Sequence, residues 1–168
     1  MTNNDVLRRL RYAFDFDDLK MIAIFSAADS RVTRSQVSNW LKKDDDPEFE
    51  ECSDQQLAIF LNGLINDRRG KKDSEQPEPE QSLNNNIIFR KLKIALDLKA
   101  DDILRLLAAS NLRISKHELS AFFRKPDHQH YRQCKDQILR NFLGGVQLEY
   151  RDGRTQQDDS SATEGHPS

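Results

Sequence analysis

A chain of 168 residues suffices for one ordinary domain or two small ones, and 36% apolar, 32% charged and 8% aromatic residues describe a globular protein with a polar surplus. No run approaches the roughly 20 apolar residues of a bilayer-crossing helix, none being longer than that of residues 21–25, and the opening MTNNDVLRRL lacks the apolar core of a secretory signal. A cytoplasmic protein without a membrane partner is expected. The net charge of −2 conceals a division along the chain: residues 1–70 sum to −3, 71–84 to −2, 85–151 to +6 and 152–168 to −3.

The first apolar stripe, Val6, Leu10, Ala13 and Phe14, has the three-and-four spacing of a helix, with Asn3 or Asn4 as its N-cap. A second stripe, Leu19, Ile22, Ala23 and Phe25, follows an acidic first turn at Asp17 and Asp18, where carboxylates offset the positive end of the helix dipole. Thr33 with Gln36 is a capping box that opens a third helix carrying Val37, Trp40 and Leu41. A fourth helix runs from about Ser53 along Leu57, Phe60, Leu61, Leu64 and Ile65. Residues 71–84 then read as a linker, because Pro77 and Pro79 cannot occupy a helix interior and their charged neighbours offer nothing to bury.

Beyond the linker the pattern begins again. A shift of 82 residues lays NNDVLRRLRYAFDF, from Asn3, over NNIIFRKLKIALDL, from Asn85. A two-residue slip would pair Asp17 and Asp18 with Asp101 and Asp102, and it closes before Val32, Val37, Trp40 and Leu41 meet Ile114, Leu119, Phe122 and Phe123. Ser115 with Glu118 repeats the capping box, and Cys52, Leu57, Phe60, Leu61 and Gly63 meet Cys134, Leu139, Phe142, Leu143 and Gly145. Residues 152–168, rich in Ser, Asp and Gln, read as a disordered tail. With no strand-type alternation anywhere, the expected fold is all-α. Two tandem four-helix repeats, 1–70 and 85–151, would be related by a pseudo-twofold and packed into one compact unit, since a unit this small is marginal alone.

The segments NNDVLRRLRYAF, VTRSQVSNWLKK and FLNGLINDRRGK, followed by NNNIIFRKLKIAL, LKADDILRLL and PDHQHYRQCKDQILRNFLGG, resemble the bacterial YehS-like proteins over about residues 3–151. That resemblance implies a doubled architecture and carries no activity, cofactor or catalytic residue.

Several polar clusters invite chemical readings. Asp127, His128, His130 and Cys134 are zinc-ligand types, yet no second Cys or His pair completes a structural site, and the matched residues in the first repeat are Asp45, Asp46, Glu48 and Cys52. Cys134 has His130 four residues before it, but no orienting third group can be assigned, and the six glycines form no phosphate-cradling loop. Gly63 and Gly145 mark close packing or a helix end. The two cysteines are read as reduced, buried thiols, each filling a small site in its own repeat. No cofactor and no catalysis are expected.

The polar face of the third helix holds the candidate site. Arg34, Ser38 and Lys42 are spaced by four and share a face, and Lys116, Ser120 and Arg124 repeat that basic, hydroxyl, basic order, joined by Arg113 and His117. Following another helix across a short turn, such a face has the outline of a helix-turn-helix reader, although terminal bases also complement a helix C-terminus. The expected function is a non-enzymatic module binding nucleic acid or a nucleoprotein complex through the basic second repeat. The alternative is a protein-interaction adapter or small regulator in which the basic residues dock on Asp44, Asp45, Asp46, Glu48, Glu50 and Glu51.

Overall fold

The computed structural model describes residues 1–73 and 75–153. It consists of helices α1 (Asn3–Phe14), α2 (Asp18–Ala27), α3 (Arg34–Leu41) and α4 (Asp54–Arg69), followed by α5 (Asn85–Ala95), α6 (Ala100–Ala109), α7 (Lys116–Ala121) and α8 (Asp136–Gln147). Helix α8 continues into one wider π-helical turn, Leu148–Asp152. No strand occurs among the described residues. The expected tail lies, from residue 154 onward, outside them.

Local chemistry sets several helix ends alike in the two halves. Thr33 and Ser115 cap α3 and α7 through the capping boxes with Gln36 and Glu118, and Ser53 with Gln56 adds a third at α4. The left-handed residues fall in register as well: Asp15 and Asp97 end α1 and α5 at φ 54° and 53°, and Asp29 and Asn111 follow α2 and α6 at 61° and 68°. Asp and Asn tolerate this conformation better than other residues with a Cβ, and here they stop helices where glycine usually does.

These ends correct three details of the sequence reading. The cap of α1 is Thr2, in a capping box with Asp5, and α5 is capped by Asn84, so Asn3 and Asn4 already lie inside the helix. The offset never slips: α2 and α6 begin at Asp18 and Ala100, so Asp17 matches Lys99. Asp17 caps α2 through the Lys20 amide, whereas Asp102 reaches back to the Lys99 amide at 2.8 Å. The buried stripe of α2 is Met21, Ile24 and Phe25, with Leu19 68% exposed. That helix is apolar nearly all round, so periodicity alone does not select its inner face.

One continuous core joins the two repeats. Trp40 lies within it against Phe25, ring centroids 5.4 Å apart, and Phe122 packs on Phe89 in the same place of the second copy. Between the repeats, α4 packs on α5 and α8 packs on α1, the reciprocal pair of seams a twofold requires. Matched ion pairs mark both seams: Arg69 with Asp97 at 2.8 Å and Arg151 with Asp15 at 3.5 Å. Within each repeat a glycine sets the closest crossing, because a Cβ on Gly63 would lie 1.9 Å from the Ile24 carbonyl oxygen and one on Gly145 2.1 Å from that of Leu106.

The linker is not idle chain. Glu80 pairs with Lys91 at 3.0 Å, Gln76 accepts from Asn66 at 2.9 Å, and the Leu83 amide donates to Asp54 at 2.8 Å, so this segment straps across α4 and α5.

Candidate functional site

The loop between the third and fourth helices of each repeat is pinned by asparagines from the first. Asn4 donates to the carbonyls of Trp40 and Glu50 at 2.9 and 2.8 Å and accepts from the Cys52 amide at 2.9 Å. Asn86 does the same with Phe122, Arg132 and Cys134 at 3.1, 2.8 and 2.9 Å. Asn3 and Asn85, one residue earlier, bind Asp54 and Asp136 at 2.7 and 2.8 Å. The accepted bonds hold the Asp54 carboxyl below the usual carboxylate range, Asn3 contributing most. These clasps fix where the basic residues at the end of α3 and α7 stand.

On that shared frame the two repeats carry the same cations in opposite surroundings. In the first, Arg8 pairs with Asp5 at 2.6 Å and Asp44 at 3.6 Å, Lys42 with Glu48 at 2.8 Å, and Arg34 with Asp18 at 3.3 Å. In the second, the matched cations are Arg90, Arg124 and Lys116, but the positions of Asp5, Asp44, Asp46 and Glu48 hold Ile87, Pro126, His128 and His130. Residues 39–51 carry two lysines against six carboxylates, net −4, whereas 121–133 carry three bases against one carboxylate, net +2. Among the described residues, no carboxylate pairs with Arg90, Arg113, Arg124 or Lys125.

The second-repeat surface gathers around the end of α7. Arg90 donates to the Phe123 carbonyl at 2.7 Å, Lys93 lies 5.3 Å over the Phe123 ring, and the Arg124 Nε is buried without a hydrogen-bond partner. His117 and His130 face each other with ring centroids 6.4 Å apart, and His128 lies 5.5 Å from His130. The His128 Nδ1 accepts from the His130 amide at 3.0 Å, as Asp46 accepts from the Glu48 amide at 2.9 Å, so an imidazole replaces a carboxylate without changing the turn. Lys116 makes a loose exposed contact with Asp101 at 3.6 Å, and Ser120 is committed to the His117 carbonyl at 2.8 Å. In the first repeat Ser38 is half-buried between the neutralised Arg34 and Lys42.

The sequence picked out α7 itself but not Arg90, Lys93 or Lys125 beside it; it placed Phe123 among the apolar positions and offered His128 and His130 only as zinc-ligand types. Comparing charges at the offset of 82, rather than apolar positions, would have exposed them. Among the described residues, the acidic stretch 44–51 forms its ion pairs within its own repeat, to Arg8 and Lys42, and none with the basic half. Six residues separate α2 from α3 and α6 from α7, more than the usual three or four of a helix-turn-helix, and α7 has only six residues. The face is therefore a short cationic platform rather than a groove-length reading helix.

Cys134 and His130 are not brought together: the thiol is buried against the Lys135 carbonyl, whereas His130 is exposed beside His128 and His117. No group of three or more His, Cys, Asp or Glu suited to a metal ion occurs among the described residues. Both cysteines are free and buried, and burial pushes each thiol up to about 12. A reactive thiol near neutral pH needs the opposite shift. Native protein at pH 8 is therefore expected to react with a thiol reagent orders of magnitude more slowly than protein unfolded in guanidinium. Because the folded value is raised, each thiol's contribution to stability is complete below about pH 8.5 and is lost as pH rises toward 12. Rapid stoichiometric labelling of the native protein would refute this assignment.

Two copies of one asparagine-clasped four-helix unit, sharing a core through reciprocal seams, define a duplicated all-α protein. The family described as "Protein of unknown function (DUF1456)" matches residues 3–70 and again 85–152, and the chain belongs to that family. It is 43% identical over 147 residues to "Uncharacterized protein YehS" of Escherichia coli (strain K12), a likeness covering 87% of this chain and 94% of that protein. No solved structure matches. No helix among the described residues is long and apolar enough to cross a membrane.

Proposed function

We propose that the protein is a non-enzymatic binding module whose second repeat contacts a polyanion, nucleic acid or a nucleoprotein complex, through the platform around α7. One observation carries this reading: Arg8 and Lys42 keep cationic mates in Arg90 and Arg124, but the carboxylates around them in the first repeat are replaced by Ile87, Pro126, His128 and His130 in the second. Unpaired guanidinium and ammonium groups beside exposed imidazoles suit phosphate contacts, and an exposed imidazole can stack on a base. The short α7 and the absence of a tight turn favour backbone contacts over base reading.

The test is association with duplex and single-stranded DNA and RNA across a salt series. Each phosphate contact adds about 0.9 to the slope of log affinity against log salt on duplex DNA. Replacing Lys116 and Arg124 together by Ala removes two contacts and should flatten that slope by about 1.8, leaving Leu119 and Phe122 in the core. The matched Arg34 and Lys42 pair, already neutralised by Asp18 and Glu48, should matter less. Absence of association at about 50 mM salt, where electrostatic binding is strongest, would replace this reading with the protein-interaction adapter.

A further inference from the structure

The seam between α4 and α5 differs from its twofold mate in its side chains and in the space they leave. Under the linker strap lies a cleft of about 570 Å³, within the range of small-molecule sites, whereas the matched seam between α8 and α1 holds a space of about 160 Å³. Its wall is apolar at Ile65, Ile87, Ile94 and Pro77, and Lys91 provides a charge beside it. Lys91 is 13% exposed and is held by Asn62 at 2.6 Å and Glu80 at 3.0 Å. At the mate of Asn62 stands Gly144, and at the mate of Lys91 stands Arg9, so the cleft is not a by-product of duplication. Arg69, Lys72 and Arg90 add further positive charge around the cleft, against Glu75 and Glu80.

A nearly buried ammonium needs an anionic partner, and here the strap supplies one from the more mobile class of structure, a Pro-rich connecting segment. We propose that this cleft binds a small amphipathic anion, an apolar body ending in a carboxylate, sulfonate or phosphate, with Lys91 as its anchor and Glu80 as the carboxylate it displaces. The apolar body rests on Ile65, Ile87 and Ile94, and the strap re-seats around the ligand through Pro77 and Gln76. Arg90 borders both this cleft and the α7 platform, but the anchor Lys91 and the apolar wall belong to the cleft alone.

The test uses the full chain and the fluorescent probe 1-anilinonaphthalene-8-sulfonate, which has the required apolar body and single fixed charge. One probe should bind per chain, and octanoate should displace it while octan-1-ol at the same concentration should be roughly tenfold weaker, since only the former pairs with the ammonium. Lys91→Met should weaken the probe roughly tenfold, whereas Glu80→Gln, which releases the ammonium from its internal partner, should tighten it. Ile94→Glu, at a residue already 45% exposed, keeps the fold within reach if Lys91→Met does not fold, and should also weaken binding. Replacing Arg124 and Lys125 by Ala should leave probe binding unchanged and separates this site from the α7 platform. Failure of the probe to bind, equal affinity in Lys91→Met and Ile94→Glu, or weakening by Glu80→Gln would overturn the proposal, whatever the outcome with nucleic acid.

Discussion

Alanine at Gly63 or Gly145 is expected to destabilise the protein by about 2–4 kcal/mol, while the same change at Gly144, one residue away, should stabilise it by about 0.5–1 kcal/mol. All three glycines are helical, so propensity alone predicts a gain at each. What separates them is the neighbour that a methyl group would meet. At Gly63 and Gly145 it is a backbone carbonyl oxygen at 1.9 and 2.1 Å, on α2 and α6 respectively, which can yield only by moving a whole helix. At Gly144 the nearest atoms are the Ser110 Cβ at 3.6 Å and an Arg9 guanidinium nitrogen at 3.7 Å, ordinary contact distances. In a chain of this length each kcal/mol moves the melting temperature by about 2–4 °C, so calorimetry should show a fall of several degrees for the first two variants and a small rise for the third. A rise at Gly63 or Gly145 would mean that the helices do not cross where these glycines place them.

The same two positions show what the sequence discloses. The offset of 82, the capping boxes of α3 and α7 and the inward stripe at Val37 and Trp40 are local patterns written twice, and duplication makes each half a check on the other. The inner face of α2 was illegible because Ile22, Ala23 and Ile24 are all apolar, and a glycine some forty residues later decides which one turns inward. Asparagine at a helix start is usually a cap, which is why the sequence points to Asn3 or Asn4. Here Thr2 holds that place, and the asparagines reach instead to the end of α3, the start of α4 and the loop between them, 36 to 51 residues away. The strap, read from composition as chain with nothing to bury, packs because Lys91 and Asn66 across the seam give its polar groups partners. Of the candidate site, α7 was legible as a periodic basic face, but its setting depended on non-local replacements of carboxylates.

Changing Asn86 to Asp should be among the most damaging single substitutions in the protein, costing about 3–5 kcal/mol at pH 7 although it alters one side-chain group and no volume. The Asn86 amide gives both its hydrogens to carbonyls, of Phe122 at 3.1 Å and Arg132 at 2.8 Å, while its oxygen receives the Cys134 amide at 2.9 Å. Aspartate keeps the acceptor and turns the donor into a second charged oxygen facing two carbonyl oxygens, at a site only 6% exposed. Burial and these facing dipoles raise the folded-state pKa of the new carboxyl above its unfolded value. The resulting penalty is therefore greatest well above that folded value and shrinks as pH falls through it, once a single O–H can donate to one carbonyl. Denaturant titrations at pH 7 and pH 5 should show the gap to the wild type narrowing at the lower pH, and Asn4→Asp should behave alike, since Asn4 makes the same three bonds in the first repeat. Near-wild-type stability of either variant at pH 7 would show that these asparagines do not hold the loops. The α7 platform would then have to be positioned by its apolar anchors alone.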